Sequence, residues 1–241
     1  MEKSNKLIIF GLILGVSLIA ASVIVARTFL DVRKLDNTVV VSGSAKKEVT
    51  ADSARWTGNF SRTVTKEQMK EGYNQMKADE KIVNNFLIAQ GFTAEQIEIS
   101  PVFMSEMYNY RNNETVKEYN LTQNVSIKSD DVYKMKELAK NSDKLAEQGV
   151  LFFANSVEYY YSELPEVRVS LLPEAIKDAK ARAEAIAASS GKKVDAIKSV
   201  SMGVVQVMTA GAIEISDYGL YDTSSIEKEV MVTVKANFNL K

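Results

Sequence analysis

LIIFGLILGVSLIAASVIVA, residues Leu7 to Ala26, holds twenty residues without one charged side chain. As a helix rising ~1.5 Å per residue it would measure roughly 30 Å, the thickness of a bilayer's hydrocarbon core. Everything after Arg27 mixes charge with apolar residues at strand or helix spacing. A buried helix of a soluble domain seldom lacks a polar face over this length. A cleaved signal peptide has a shorter apolar run, about 7–15 residues, ended by small residues. Ala20-Ala21-Ser22 offers a weak cleavage site inside the run, so that alternative stays open. An uncleaved signal-anchor fits the length best. Gly11 and Gly15 match a GxxxG contact pattern, but Gly is common in such helices and no dimer need be invoked.

The flanks carry similar charge. Lys3 and Lys6 precede the span; Arg27, Arg33 and Lys34 follow it. The positive-inside rule therefore gives no decisive bias. A short head is easily kept inside while a large C-terminal domain is exported. The expectation is a single-pass membrane protein with its C-terminal domain extracytoplasmic, periplasmic or at the cell surface. Residues 1–26 form the anchor, 27–37 a polar stalk that extends the helix, and 38–241 the domain.

The 241-residue chain leaves enough beyond the anchor for one or two real cores. Setting aside Glu2, Lys3, Lys6 and Arg27 leaves 27 basic against 30 acidic residues, a net charge of −3. That balance has no electrostatic footprint for nucleic acid. The chain has no Cys and no His. No disulfide, thiolate nucleophile, zinc-thiolate site or imidazole base can be built from it. The lack of Cys is compatible with an extracytoplasmic site.

Beyond the stalk, Thr38 to Val49 predicts a strand with a bulge at Gly43. Ala51 to Val64 predicts a second, with Ala54, Trp56 and Phe60 in the core. Thr65 and Gln68 have capping-box spacing. The helix after them carries Met69, Tyr73, Met76, Val83 and Leu87 on one face and stops at Gly91. Ile97, Ile99 and Val102 begin a strand, 108–114 reads as a hairpin tip, and 116–128 returns with Tyr119, Leu121, Gln123, Val125 and Ile127 on one face. Asp130 is placed as the N-cap of a helix bearing Val132, Met135, Leu138, Ala139, Leu145 and Ala146, stopped by Gly149. Val150 to Tyr161 reads as one strand, its three tyrosines covering core and sheet rather than binding a ring.

Leu164 to Ser190 is a helix that Pro173 should kink or restart. Ile176, Ala179, Ala183, Ile186 and Ala187 form its packing face. Val194 to Val207 is a strand broken near Gly203, 209–225 a long loop, and 229–240 a strongly alternating strand. Strand, helix, glycine, strand and long alternating strand thus occur twice. The expected fold class is α+β, an N-terminal transmembrane helix followed by two β-α-β-β-type units with largely antiparallel sheet.

Val39-Val40-Val41-Ser42-Gly43, followed by Lys47-Glu48-Val49-Thr50-Ala51-Asp52-Ser53-Ala54, resembles the opening of the SIMPL-domain family, the YggE-like proteins. Asp178 to Ala187, followed by Gly191-Lys192-Lys193-Val194, is similar to that family's later Ala-rich block, and the terminal alternating strand also fits. The likeness covers about residues 38–241. Ser44-Ala45 stands where a second glycine usually lies, and Ala51 where Pro is common. The Pro-Gly often seen before the last strand is absent around Glu227-Lys228-Glu229. The resemblance implies a cell-envelope protein associated with stress tolerance that forms ring-like oligomers. It implies no catalytic residue.

No phosphate-binding loop is present, and no carboxylates are fixed at one site by spacing. Four Asn-x-Ser/Thr matches, at Asn59, Asn113, Asn120 and Asn124, are short enough to arise by chance. No catalytic, cofactor-binding or metal-binding residue is assigned, and no cofactor. The expected partners are the membrane through residues 7–26, further copies of the chain, and an envelope protein. The expected function is non-enzymatic, through oligomerisation or partner binding. The alternative is an extracytoplasmic, hydrolase-like enzyme using carboxylate, Lys or Tyr chemistry.

Overall fold

The computed structural model of the chain describes residues 2–34, 37–111, 114–212 and 218–241. Helix α1 (Glu2–Lys34) is continuous. The stalk therefore begins as helix, because no Gly or Pro interrupts residues 27–34. Within α1, Phe10–Leu30 is long and apolar enough to cross a membrane, and none of it is buried.

After α1 the order is β1 (Thr38–Thr50), β2 (Ser53–Val64), α2 (Met69–Ala89), β3 (Ile97–Ile99), β4 (Phe103–Arg111) and β5 (Glu114–Ser129). Then come α3 (Val132–Lys140), α4 (Lys144–Glu147), β6 (Phe152–Ala154), β7 (Glu158–Tyr160), α5 (Leu164–Ser189), β8 (Val194–Thr209) and β9 (Glu227–Leu240). The molecule is α+β with antiparallel sheets, as the sequence suggests. The β-α-β-β order does recur, yet β7, the first strand of its second occurrence, pairs with β2. The chain divides into two compact units: residues 1–45, 170–204 and 232–241, and residues 46–169 and 205–231.

In the second unit β5 lies between β2 on one side and β3 and β4 on the other, while β6 and β7 flank β2. Trp56 pairs with Ile127 and Gly58 with Val125. One face of this sheet meets α2 and α3 through Trp56, Phe60, Met76, Leu87, Leu121 and Met135, all fully buried. Trp56 stacks on Phe152 at 5.5 Å, so the lone tryptophan is a core residue. Arg62 clamps α2 to β2 with a bidentate pair to Asp79, Nε–Oδ2 2.6 Å and Nη2–Oδ1 2.8 Å.

Several expectations are corrected here. Gln68 does reach back to the Thr65 amide at 3.3 Å, but α2 starts only at Met69, with Gln68 as its N-cap and no side-chain cap. Tyr73 is 42% exposed because Gly72, not Tyr73, faces the sheet. The cap of α3 is Asp131, whose carboxylate accepts from the Lys134 amide at 2.9 Å; Asp130 lies one residue too early. Ala146 is exposed on the short α4. The 150–161 strand is two short pieces, β6 and β7. Asn59, Asn120 and Asn124 sit inside β2 and β5; Asn113, like the tip at 112–113, lies outside the described residues.

In the first unit the sheet order is β1-β9-β8. α5 lies directly on β1. A Cβ at Gly43 would stand 2.2 Å from the Ala175 carbonyl oxygen and 2.4 Å from the Ala179 amide, so only glycine fits under the helix. β1 runs through Gly43 without a break: the glycine serves packing, not a bulge. The buried stripe of α5 in this unit is Leu171, Ala175, Ala179, Ala183 and Ala187. Ile176 is half-buried and Ile186 is 50% exposed, so the packing face is narrower and smaller than the sequence implies. Pro173 sits inside a continuous α5 on its exposed side, where the carbonyl it leaves without a donor can turn to water. β8 likewise passes Gly203 without interruption.

Both long alternating strands are interior. β5 has neighbours on either side, and β9 is the middle strand of its sheet. Neither forms a sheet edge, because both are paired by segments distant in sequence.

Candidate functional site

A gathering of ionisable groups in the second unit surrounds Asp222, in the loop before β9. Its carboxylate accepts from the Ser224 amide at 2.9 Å, the Ser224 hydroxyl at 2.6 Å and the Thr209 hydroxyl at 2.9 Å. The Ser225 hydroxyl donates to it as well. Burial works against the charged form, but these hydrogen bonds outweigh it and hold the carboxyl well below the usual carboxylate range.

Lys228, the second residue of β9, points into the same place. Its side chain is completely enclosed. Nζ donates to the Asp222 carbonyl and lies 3.9 Å from the Asp222 carboxylate. Enclosure pushes the ammonium pKa down, and Asp222 opposes that shift. Tyr221 covers the lysine, its ring centre 5.8 Å from Nζ. Tyr160 tilts against Tyr221 at 6.1 Å, and the Tyr221 hydroxyl accepts from the Tyr161 amide at 3.0 Å. Burial, with Glu158 beside it, raises the Tyr160 hydroxyl pKa. Asp52 closes the outer side by accepting from the amide and hydroxyl of Ser162.

These residues are Lys, Asp and Tyr, the types an enzyme lacking His and Cys would use. Their arrangement is that of an internal tie. Every lone pair of Asp222 that the structure describes is spent on neighbouring Ser and Thr, and Lys228 has no surface from which to reach a substrate. The sequence gives Tyr160 and Tyr161 a packing role and assigns none of the cluster a chemical one. Lys228 shares its strand parity with Val230, Val232 and Val234, a signal that it faces inward.

A shallow groove of about 280 Å³ elsewhere in this unit is lined by Glu80, Lys81, Asn84, Ile97 and Ile99. Behind it Gln123, buried in the β5 alternation, donates to Glu80 at 2.9 Å and to the Ser100 carbonyl at 3.0 Å. Among the described residues no three acidic side chains gather as a metal site.

Two further surfaces are apolar and uncovered. On the β4–β5 arm, Phe103, Met104, Tyr108 and Tyr110 are each more than half exposed. There Lys117 bridges Glu106 at 2.8 Å and lies near the Tyr108 and Tyr119 rings. In the first unit β8 is exposed from Asp195 to Gly203, including Ile197, Val200 and Met202.

A family model described as SIMPL, a protein of unknown function (DUF541), matches residues 39–238. No curated protein matches the chain.

Proposed function

From the premise that this chain belongs to the SIMPL (DUF541) family, we propose that it is a non-enzymatic, membrane-anchored cell-envelope protein acting through self-association or a partner. The observation that carries this reading is the helix Phe10–Leu30, strongly apolar with Arg27 its one charged residue, and with none of it buried. Exposed apolar residues on that scale are stable only against lipid or another protein. The domain stands on the extracytoplasmic side, and stress tolerance is the setting in which it works. The uncovered strands β4 and β8 supply surfaces for association; the enclosed Asp222–Lys228 tie supplies no reacting group.

The test is fractionation of whole cells, followed by protease treatment of sealed cells and of opened ones. The expected result is a full-length chain that resists alkaline extraction and loses its domain to protease added from outside the inner membrane. A shortened chain in the soluble fraction would replace the anchor with a cleaved signal.

A second reading, a hydrolase-like enzyme, rests on Lys228, whose pKa enclosure lowers beneath the Tyr221 ring, as in an activated amine. Amine-selective labelling of the native protein with peptide mapping separates the two. Lys46, half exposed, should label and Lys228 should not. Fast labelling of Lys228 would favour the enzyme.

A further inference from the structure

We propose that two copies of this chain pair edge to edge through β8, antiparallel, about a two-fold axis at Val200. This rests on the self-association reading above and names its surface.

β8 ends the sheet order β1-β9-β8 and is exposed from Asp195 through Gly203. Soluble monomers guard such an edge with Pro, a bulge or a cover. β8 has no Pro and no interruption over its length. The opposite edge shows what guarding looks like. On β1 the Ser44 amide donates to Asp178 of α5 at 2.8 Å, and Arg182 holds that carboxylate at 3.0 Å.

The face of β8 points the same way. Gly203 stands against Thr233, whose hydroxyl oxygen would lie 2.5 Å from a Cβ there. Strand alternation then places Val200 and Met202 on the face of Val234, Ala236 and Phe238. Those three are buried to 1% or less, whereas Val200 is 41% and Met202 50% exposed. A core face is thus carried one strand beyond its cover.

A second copy fits this edge by charge and by symmetry. In the two-fold register Val200 meets its twin, Ser199 meets Ser201, Lys198 meets Met202, and Ile197 meets Gly203. No like charges stand opposite one another, and each contact off the axis is made twice, as a two-fold interface requires. The pairing brings both copies' Val200 and Met202 onto one face, where each Met202 lies beside the other copy's Lys198. β4 is the weaker edge: the exposed Glu106–Lys117 pair sits midway along it, and a two-stranded arm twists more strongly than a sheet strand. A membrane tether would raise the local concentration further.

The chain has no cysteine, so Val200→Cys in the full-length protein in detergent is a clean reporter. Opposite residues of an antiparallel pair lie about 4.5–5.5 Å apart at Cα, within disulfide reach. Mild oxidation should give a covalent dimer, whereas Val40→Cys, 52% exposed on β1, should stay largely uncrosslinked. Val200→Lys would set like charges at the axis and weaken dimerisation roughly tenfold by sedimentation, with an unchanged circular dichroism spectrum. A wild-type monomer at tens of micromolar would overturn self-association itself. Wild-type assembly that Val200→Lys leaves intact, with Val200→Cys uncrosslinked, would overturn the β8 edge alone.

Discussion

Asp222 concentrates four hydrogen bonds on one carboxylate, from Thr209, Ser224 twice and Ser225. Asp222→Ala removes the acceptor and deprives the enclosed Lys228 of the carboxylate 3.9 Å from its Nζ. The expected loss is about 1–3 kcal/mol at neutral pH, read by urea denaturation. Its pH dependence has a definite sign. The folded carboxyl titrates below the unfolded value of about 3.9, so its contribution is complete above that value. It is lost as pH falls through the folded pKa, and the gap between wild type and variant should narrow below about pH 4. Lys228 has the opposite sense. Its folded pKa is lowered by enclosure, so the unfolded chain binds more protons across the interval up to about 10.4. In that interval, stability from this group should rise with pH, and Lys228→Met should remove the rise. Of this cluster the sequence reveals Lys228 alone, through its parity with the valines of β9. Asp222 lies in a segment whose residues 213–217 are outside the described ones, and its partners come from β8 and from turns that no periodicity marks.

At the scale of elements, α5 against β1 is the contact with least tolerance. Ala183 is fully buried. Ala183→Leu should cost about 1–3 kcal/mol by overpacking. Gly43→Ala should cost at least as much, because the atoms met are helix backbone rather than a flexible side-chain end. Both are read from the denaturation midpoint; an unchanged midpoint for Ala183→Leu would place that face in solvent. Pro173→Ala should leave the helical content unchanged and raise stability, because α5 already runs through the proline. Strands and helices are legible in the sequence because their periods are local: Leu121, Val125 and Ile127 alternate, and Met76, Val83 and Leu87 recur at helical spacing. The partner of each face is not. Hydrophobicity points to Ile176 and Ile186, whereas a helix pressed onto a strand selects its smallest residues, here Ala175, Ala179 and Ala183. Edges are illegible for the same reason: β5 and β9 look unguarded along the chain, yet both are filled from either side by strands far away in sequence. β8, an edge strand among the described residues, is instead one that the sequence reads as broken near Gly203.

For the whole molecule the deciding property is the 21-residue run Phe10–Leu30. At ~1.5 Å per residue it spans about 31 Å, enough for the hydrocarbon core with little tilt. The helix continues to Lys34, four residues past the apolar run, so a chain anchored by it would leave the bilayer as helix. Val16 and Ile19 lie near the middle of the span, 64% and 67% exposed. An arginine at a helix centre costs roughly 2.5–3.5 kcal/mol on insertion scales. Val16→Arg with Ile19→Arg should therefore move the chain from the membrane pellet to the soluble fraction after an alkaline wash. The domain should stay folded, because neither residue is buried in it. A conservative Val16→Leu with Ile19→Leu pair should remain in the pellet. If the double arginine variant also stays there, membrane association is carried by the domain, through surfaces such as the exposed aromatics of β4. The anchor would then be a signal that the mature protein does not need.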